Sequence, residues 1–312
     1  MKKLTNILLA VMLGTLVSGM IASCSKDDEG GTSSSANRNS NVAFGKADAM
    51  LLEVPHLRAG QGIYFVAHHA RIKDGSSVTT MNYCMEYDSA SYHTRWVAFS
   101  FNDTTKIKNV SRSDAWAEDV NIPSSSRLSV TSYTGSGYTR GHLCASADRL
   151  YSKQANEQTF YMSNMSPQLY DFNSYYWAEL ETLVRNWIAG NTFKRLYVCK
   201  GGTIRPDQLY SKFYTTNARG VKVSVVVPKY YFMAILAETP QSTFQAIGFV
   251  MEHKNYPPYT GGNYPAPEVM KQHAMSIDQL EDFTGIDFFC NLNDALENAV
   301  EKTCNLNAWA WH

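Results

Sequence analysis

The chain has 312 residues, 18% of them charged and 12% aromatic, with 19 tyrosines, a composition that excludes a disordered polyelectrolyte and leaves room for a sizeable core. Its 28 basic residues balance 28 acidic ones, which excludes a protein that grips nucleic acid by bulk charge; any such activity must rest on a local basic site. None of the six cysteines stands in CxxC spacing or in a cluster with histidine, so a structural zinc site is excluded too.

At the N-terminus, Lys2 and Lys3 precede a mostly apolar run from Ile7 to Ile21, too short to span a bilayer and suited to a signal peptide over residues 1–23. The run ends Ile21-Ala22-Ser23-Cys24, which resembles a bacterial lipobox with Cys24 as the lipidated first residue after cleavage. The acidic stretch Ser25-Lys26-Asp27-Asp28-Glu29 resembles an export tag of surface lipoproteins. The expectation is therefore an exported outer-membrane lipoprotein, held to the membrane by its acyl chains and facing the cell surface or the periplasm. Residues 24–44, rich in Gly, Ser and Asn, read as a flexible tether, and residues 45–312 as one domain. Beyond Cys24 five cysteines are left, an odd number, and Cys290 with Cys304 is the expected bridge because they are close in sequence.

Strand-like runs follow at Gly62–Ala67, Trp96–Phe101, Arg195–Cys199, Val221–Val227, Tyr230–Leu236 and Ala246–Met251, β-rich segments set off by turn residues. The spacing of Trp177, Leu180, Val184 and Ile188 predicts a helix from about Ser174 to Ala189, with Asn173 as its N-cap and Gly190 at its end. A second helix starts at Ser276 and closes before Gly285. Strands outnumber helices. The predicted class is α+β, a mixed antiparallel sheet core with packed helices.

Two stretches carry chemistry. In Tyr138-Thr139-Arg140-Gly141-His142-Leu143-Cys144 a single residue separates a planar guanidinium, suited to phosphate oxygens, from an imidazole able to accept a proton near neutral pH. Phosphodiester hydrolysis needs both, although Arg-Gly-His alone is equally a surface turn. The second stretch contains Asn164, Pro167 and Gln168, then Asn173, Glu181 and Arg185. Asn173 and Glu181 are about 12 Å apart along a helix, so both cannot easily bind one ion directly. Glu181 can instead reach a water of an ion that keeps most of its hydration, as Mg²⁺ does. Taken alone, Asn173 is equally a helix cap and Glu181–Arg185 an i,i+4 pair. His56, His68 and His69, without carboxylate or thiol at ligand spacing, read as ordinary residues. Cys144 reads as a small buried hydrophobe, and the Tyr256-Pro257-Pro258-Tyr259 loop as a turn before it reads as a base-stacking platform.

Together the two stretches resemble the DNA/RNA non-specific endonuclease family, the ββα-metal (His-Me finger) nucleases. The family's Asp-Arg-Gly-His motif stands here as Thr139-Arg140-Gly141-His142, its Asn-x-x-Pro-Gln element as Asn164–Gln168, and its Asn-x₇-Glu-x₃-Arg helix as Asn173, Glu181 and Arg185. Looser likeness runs through Trp96–Phe99, Ser111–Asp119 and Ser276–Phe289, so the resemblance spans about residues 80–290. It implies an enzyme that hydrolyses DNA and RNA with Mg²⁺ (or Mn²⁺) and leaves 5′-phosphates, with dimers among relatives. His142 would be the general base, Asn173 the direct metal ligand and Glu181 the holder of a water on the ion. Arg140 and Arg185 would stabilise the transition state, Arg112 would contact phosphate, and Asn164 would support the His loop or the phosphate. The alternatives are a phosphodiesterase for another substrate, or a non-catalytic surface lipoprotein that binds nucleic acid or glycan. One departure stands out: the motif's leading Asp is Thr139, and the consequence depends on whether that position shapes the turn or tunes the metal site.

Overall fold

The computed structural model describes residues 37–312. The predicted signal peptide, the lipidation site at Cys24 and most of the expected tether lie outside the described residues. The tether's last eight positions are described, and they differ from the expectation. Asn41 is fully buried; its amide donates to the carbonyls of Ala49 and Pro55 and accepts from the Leu57 amide, all at 2.9–3.0 Å. Arg38 pairs with Asp294 at 2.9 Å. The Asn41 side-chain amide, matched to backbone groups, helps to pin this segment to the body.

The described residues form one compact unit. Its centre is a seven-stranded sheet, ordered β1-β2-β3-β6-β9-β10-β11 and antiparallel throughout. The strands are β1 (Ile63–Arg71), β2 (Thr79–Asp88), β3 (His93–Phe101), β6 (Arg195–Gly202), β9 (Tyr230–Glu238), β10 (Phe244–Glu252) and β11 (Ala274–Met275). Two small sheets flank it: β4 (Thr139–His142) with β5 (Met165–Gln168), and β7 (Leu209–Thr216) with β8 (Lys222–Pro228). Both faces of the large sheet are covered, which explains why its central strands read as unbroken apolar runs. Along β9, Tyr231, Met233, Ile235 and Ala237 enter one cluster, while Phe232, Ala234 and Leu236 enter the other, the period of two of an extended strand.

A short helix, α1 (Lys153–Gln158), precedes the element that covers the first face. That element begins as a π-helical turn, Phe172–Trp177, and continues as α2 (Ala178–Ala189). Leu180, Leu183, Val184, Trp187 and Ile188 are buried against the sheet together with Trp309 and Trp311. Asn173 is therefore not the N-cap; it sits inside the π turn, a wider winding that often marks functional sites. The second face is covered by α3 (Ile277–Thr284) and α4 (Asp294–Glu301). The start of α3 is as expected: Ser276 and Gln279 form a reciprocal capping box, and Gly285 closes the helix in the left-handed conformation at φ 65°.

The expected Cys290–Cys304 bridge is absent. Cys290 is buried beside Asn41 and Val54, on the α3–α4 side, whereas Cys304 packs into the cluster under α2. The central sheet stands between the two faces, so nearness in sequence does not bring the sulfurs together.

Candidate active site

Five of the residues singled out in the sequence line one cleft of about 580 Å³: Arg112, Arg140, His142, Asn173 and Glu181. They come from three separate segments. Arg140 and His142 are two apart on β4 and so share a face. Both touch Trp116: the Arg140 guanidinium lies over its ring at 3.6 Å, and the imidazole is 5.5 Å away, centroid to centroid. Phe160 meets the imidazole edge-on at 4.9 Å and carries the Arg112 guanidinium over its face at 4.7 Å. The aromatic pair thus holds base and cations side by side while keeping water from the ring's flanks.

Glycine between Arg140 and His142 is a packing requirement. A Cβ there would lie 2.0 Å from Oε1 of Gln168, a side chain that is fully buried and cannot swing aside. The strand can therefore approach β5 closely only at Gly141, in register with Ser166.

The Thr139 hydroxyl joins this strand to the π turn. It donates to the Gln168 carbonyl at 2.9 Å, which uses its only proton, and its lone pair accepts from Nδ2 of Asn173 at 3.1 Å. The amide is thereby fixed in one orientation, with Oδ1 as its available ligand atom. An amide oxygen and a nearby carboxylate, both hard donors and few in number, suit Mg²⁺. Thr139, which stands where the resembled motif has Asp, thus supports the Asn173 amide with a neutral hydroxyl.

Behind the cleft lies a network that sequence reading did not find. Lys200 follows Leu196 and Val198 on the α2-facing side of β6 and is 1% exposed. Its ammonium meets Glu181 at 2.6 Å and Asp148 at 3.5 Å. Burial raises the Glu181 carboxyl, with Lys200 opposing, while burial of Asp148 is outweighed by Lys200, Arg185 and Arg149, which hold it below the ordinary carboxylate value. A lysine in the middle of an apolar strand was the available signal, because such a charge is almost never buried unpaired.

Two predicted site residues stand away from the cleft wall. Arg185 pairs with Asp148 at 2.9 Å and donates to Thr182, and it faces a different depression beside Lys106 and Lys108. Its guanidinium is consumed in the network, so it does not reach a phosphate in the cleft. Asn164 is fully buried, and its amide donates to the carbonyls of Cys144 and Thr159 and accepts from the Cys144 amide. Of the two roles weighed for it, the geometry leaves support of the loop after His142. Asp119 is likewise buried, bound by His68 at 3.1 Å and Ser163 at 2.6 Å, away from solvent and substrate. Cys144 is buried and its thiol is pushed up to about 12 by that burial, so it is inert at neutral pH. Tyr256 is stacked on Tyr176 at 3.8 Å, which takes the ring face a base would need.

Burial, then Arg112, Lys200 and Arg140, push the His142 imidazole down to about 3. The ring is therefore neutral at physiological pH and free to accept a proton.

A family model described as DNA/RNA non-specific endonuclease matches residues 64–295. The chain is 29% identical over 226 residues to a protein named Nuclease from Nostoc sp., covering 70% of this chain and 75% of that one. It is 27% identical over 250 residues to mitochondrial endonuclease G of Bos taurus, covering 79% and 80%. A chain in a crystal structure of an EndoG/EndoGI complex superposes with a TM-score of 0.54 at 24% identity, over 72% of this chain and 88% of that one, a likeness of fold.

Thr139→Val keeps the shape of the side chain and removes both hydrogen bonds, freeing the Asn173 amide to turn. Metal affinity in a Mg²⁺ titration of activity is expected to fall about 10- to 100-fold, the usual cost of losing a group that orients a ligand, while Thr139→Ser stays near wild type. Equal Mg²⁺ dependence in Val and Ser variants would show that the hydroxyl does not orient the ligand.

Proposed function

The chain belongs to the DNA/RNA non-specific endonuclease family, whose members hydrolyse nucleic acid with a divalent metal, and from that premise we propose that this cleft cuts DNA and RNA phosphodiesters by Mg²⁺-assisted attack of water. The observation that carries the reading is the convergence of His142, Arg140 and Asn173, delivered by two separate segments, on one cleft.

In this mechanism Arg140 and Arg112 receive the non-bridging oxygens of the scissile phosphate, each guanidinium held over an aromatic ring. Neutral His142 takes a proton from water as the oxygen attacks phosphorus. The arriving phosphate brings negative charge against the cations that depress the imidazole, so His142 becomes a better base when substrate is in place. Asn173, through the oxygen that Thr139 leaves free, would hold Mg²⁺ directly and Glu181 would hold one of its waters; the ion when bound neutralises phosphate charge and stabilises the leaving 3′ oxygen. The 3′ oxygen then departs, taking a proton from solvent water, and the phosphate stays on the 5′ side. Since these side chains address phosphate and not base edges, cutting is indifferent to sequence.

We also propose export as a lipid-anchored outer-membrane protein. Support comes from Lys2, Lys3, the apolar run and Cys24. Cys24→Ser should move the protein from the membrane fraction to the soluble extract; unchanged fractionation and no incorporated acyl label would refute the anchor.

Supercoiled plasmid and a structured RNA should both be degraded in Mg²⁺ and spared in EDTA, leaving ends that ligase accepts as 5′-phosphates. His142→Ala is expected to lower the rate about 10²- to 10⁴-fold, the usual contribution of a positioned base. Cutting that survives chelator or the His142 variant would rule out this chemistry.

The pH profile gives a second test. With His142 pushed down to about 3, its proton is already absent at pH 5, so kcat/KM should hold its plateau well below the ordinary imidazole value of about 6.5. Arg112→Ala removes one of the depressing charges and should move the acid limb upward. A limb near 6.5 in the wild-type enzyme, unmoved in the variant, would show that Arg112 does not tune this base.

A further inference from the structure

On the face of the sheet opposite the cleft, carboxylates gather with no cation among them. Asp278 and Glu281 lie one turn apart on α3, and Glu301 ends α4; one ligand oxygen from each falls within 4.8 Å of the others. Glu301 is 5% exposed, and its Oε1 is buried without a hydrogen-bond partner. Among the described residues no Lys, Arg or His lies within ion-pair distance of these three carboxylates. The nearest further groups add to the charge: Asp287 and Glu297 share the amide of Asn39, at 3.2 and 2.9 Å.

Leaving three acid groups this close without a counter-charge is costly in two ways. Each carboxylate loses hydration, and each repels the other two. A buried, unpartnered oxygen adds to that cost. A bound cation removes all three penalties at once. Oxygens on opposite sides of a Ca²⁺ ion stand up to about 5 Å apart, against about 4 Å for Mg²⁺, because the metal–oxygen distances are about 2.4 and 2.1 Å. All three oxygens lie within that reach of one another, so a single Ca²⁺ ion can be shared among them.

We propose that Asp278, Glu281 and Glu301 form a second divalent-cation site, of the hard, oxygen-binding Ca²⁺ class, that clamps α4 onto α3. It is separate from the metal of the cleft and structural in effect. Asp278 and Glu281 lie in the family-matched stretch, whereas Glu301 lies beyond it, so the ion would fasten the chain's last helix to the domain.

The test uses the full chain with Asn173→Ala, which empties the cleft of its direct metal ligand. After chelation, Ca²⁺ binding is followed by calorimetry and by melting temperature at pH 8. One bound Ca²⁺ per chain and a rise of roughly 5 °C or more at a hundredfold excess over Kd are expected. Glu301→Gln in the otherwise native chain should keep nuclease activity in Mg²⁺ and melt close to the wild type in chelator. It should gain less than a third of the wild-type shift from Ca²⁺. No bound Ca²⁺ in the Asn173→Ala chain would overturn the site. So would a Glu301→Gln chain that keeps the full Ca²⁺ shift. If Glu301→Gln does not fold, Asp278→Asn, on the exposed side of the cluster, decides by the same loss of shift.

Discussion

The Thr139 hydroxyl has one proton and two lone pairs, and the site depends on how they are spent. The proton goes to the Gln168 carbonyl, so only an N–H can approach from Asn173. This ties three things together: the register of β4 on β5, the start of the π turn, and the orientation of the one amide able to present oxygen to a metal. His142 lies on the same short strand, three residues on. A strand of four residues has little intrinsic stability, and here it is fixed by packing: Gln168 fills the space over Gly141 and Asn164 locks the loop that follows. His142 and Asn173 are thus positioned by one small sheet and not by two independent loops.

Behind that sheet, electrostatics are arranged in two layers. Glu181, Lys200, Asp148 and Arg185 make a chain of alternating charge, buried under α2 and close to neutral in sum. Burying four charges costs a good deal in hydration, and mutual pairing at 2.6–3.5 Å offsets it. The return is a rigid floor: Glu181 has a fixed place at the cleft edge because Lys200 holds it. In front of the floor, Arg112 and Arg140 rest on aromatic faces. Arg112 is half-exposed and paired only with the solvent-facing Asp114, an exchange that a phosphate can win. The front layer is therefore the one with unspent positive charge.

How much of this could be read from the chain follows from how local each signal is. Arg140 and His142 are two residues apart, and a strand places such residues on one face, so their meeting was legible. The apolar face of α2 and the capping box at Ser276 are equally local. Asn173 was misread as an N-cap because nothing in its neighbourhood reveals that the helix begins earlier, as a π turn, or that Thr139, distant in sequence, receives its amide. Arg185 shows the limit more sharply. Its i,i+4 spacing from Glu181 fixed the helix face, but the partner that takes Glu181 is Lys200, from another strand, and Arg185 turns to Asp148 instead. Strand β2 escaped notice because it carries Asn82 and Glu86, polar residues that look solvent-facing. Asn82 donates to Ala155 and Gln158, and Glu86 accepts from Arg58 and Arg95, each in the interior. Such residues are interior because of long-range partners, which periodicity cannot show.

Zero net charge argued at first against a nucleic-acid enzyme, and the structure gives the reason it need not. Positive charge is sorted by depth and by face. Lys200 and Arg185 are cancelled by acids in the interior, while other carboxylates gather around α3 and α4, across the sheet from the cleft. A polyanion arriving at the cleft therefore meets two guanidiniums and a hydrogen-bonding wall, with Glu181 held in its ion pair to Lys200. Coulomb attraction in salt solution fades within about 10 Å, so the field that matters to a phosphate is set by the few residues lining the cleft and not by the whole-chain sum. With two guanidiniums at the cleft, contact with a phosphate rests on positioning more than on bulk attraction. That is the regime in which the orientation of a single amide, set by a single hydroxyl, governs the outcome.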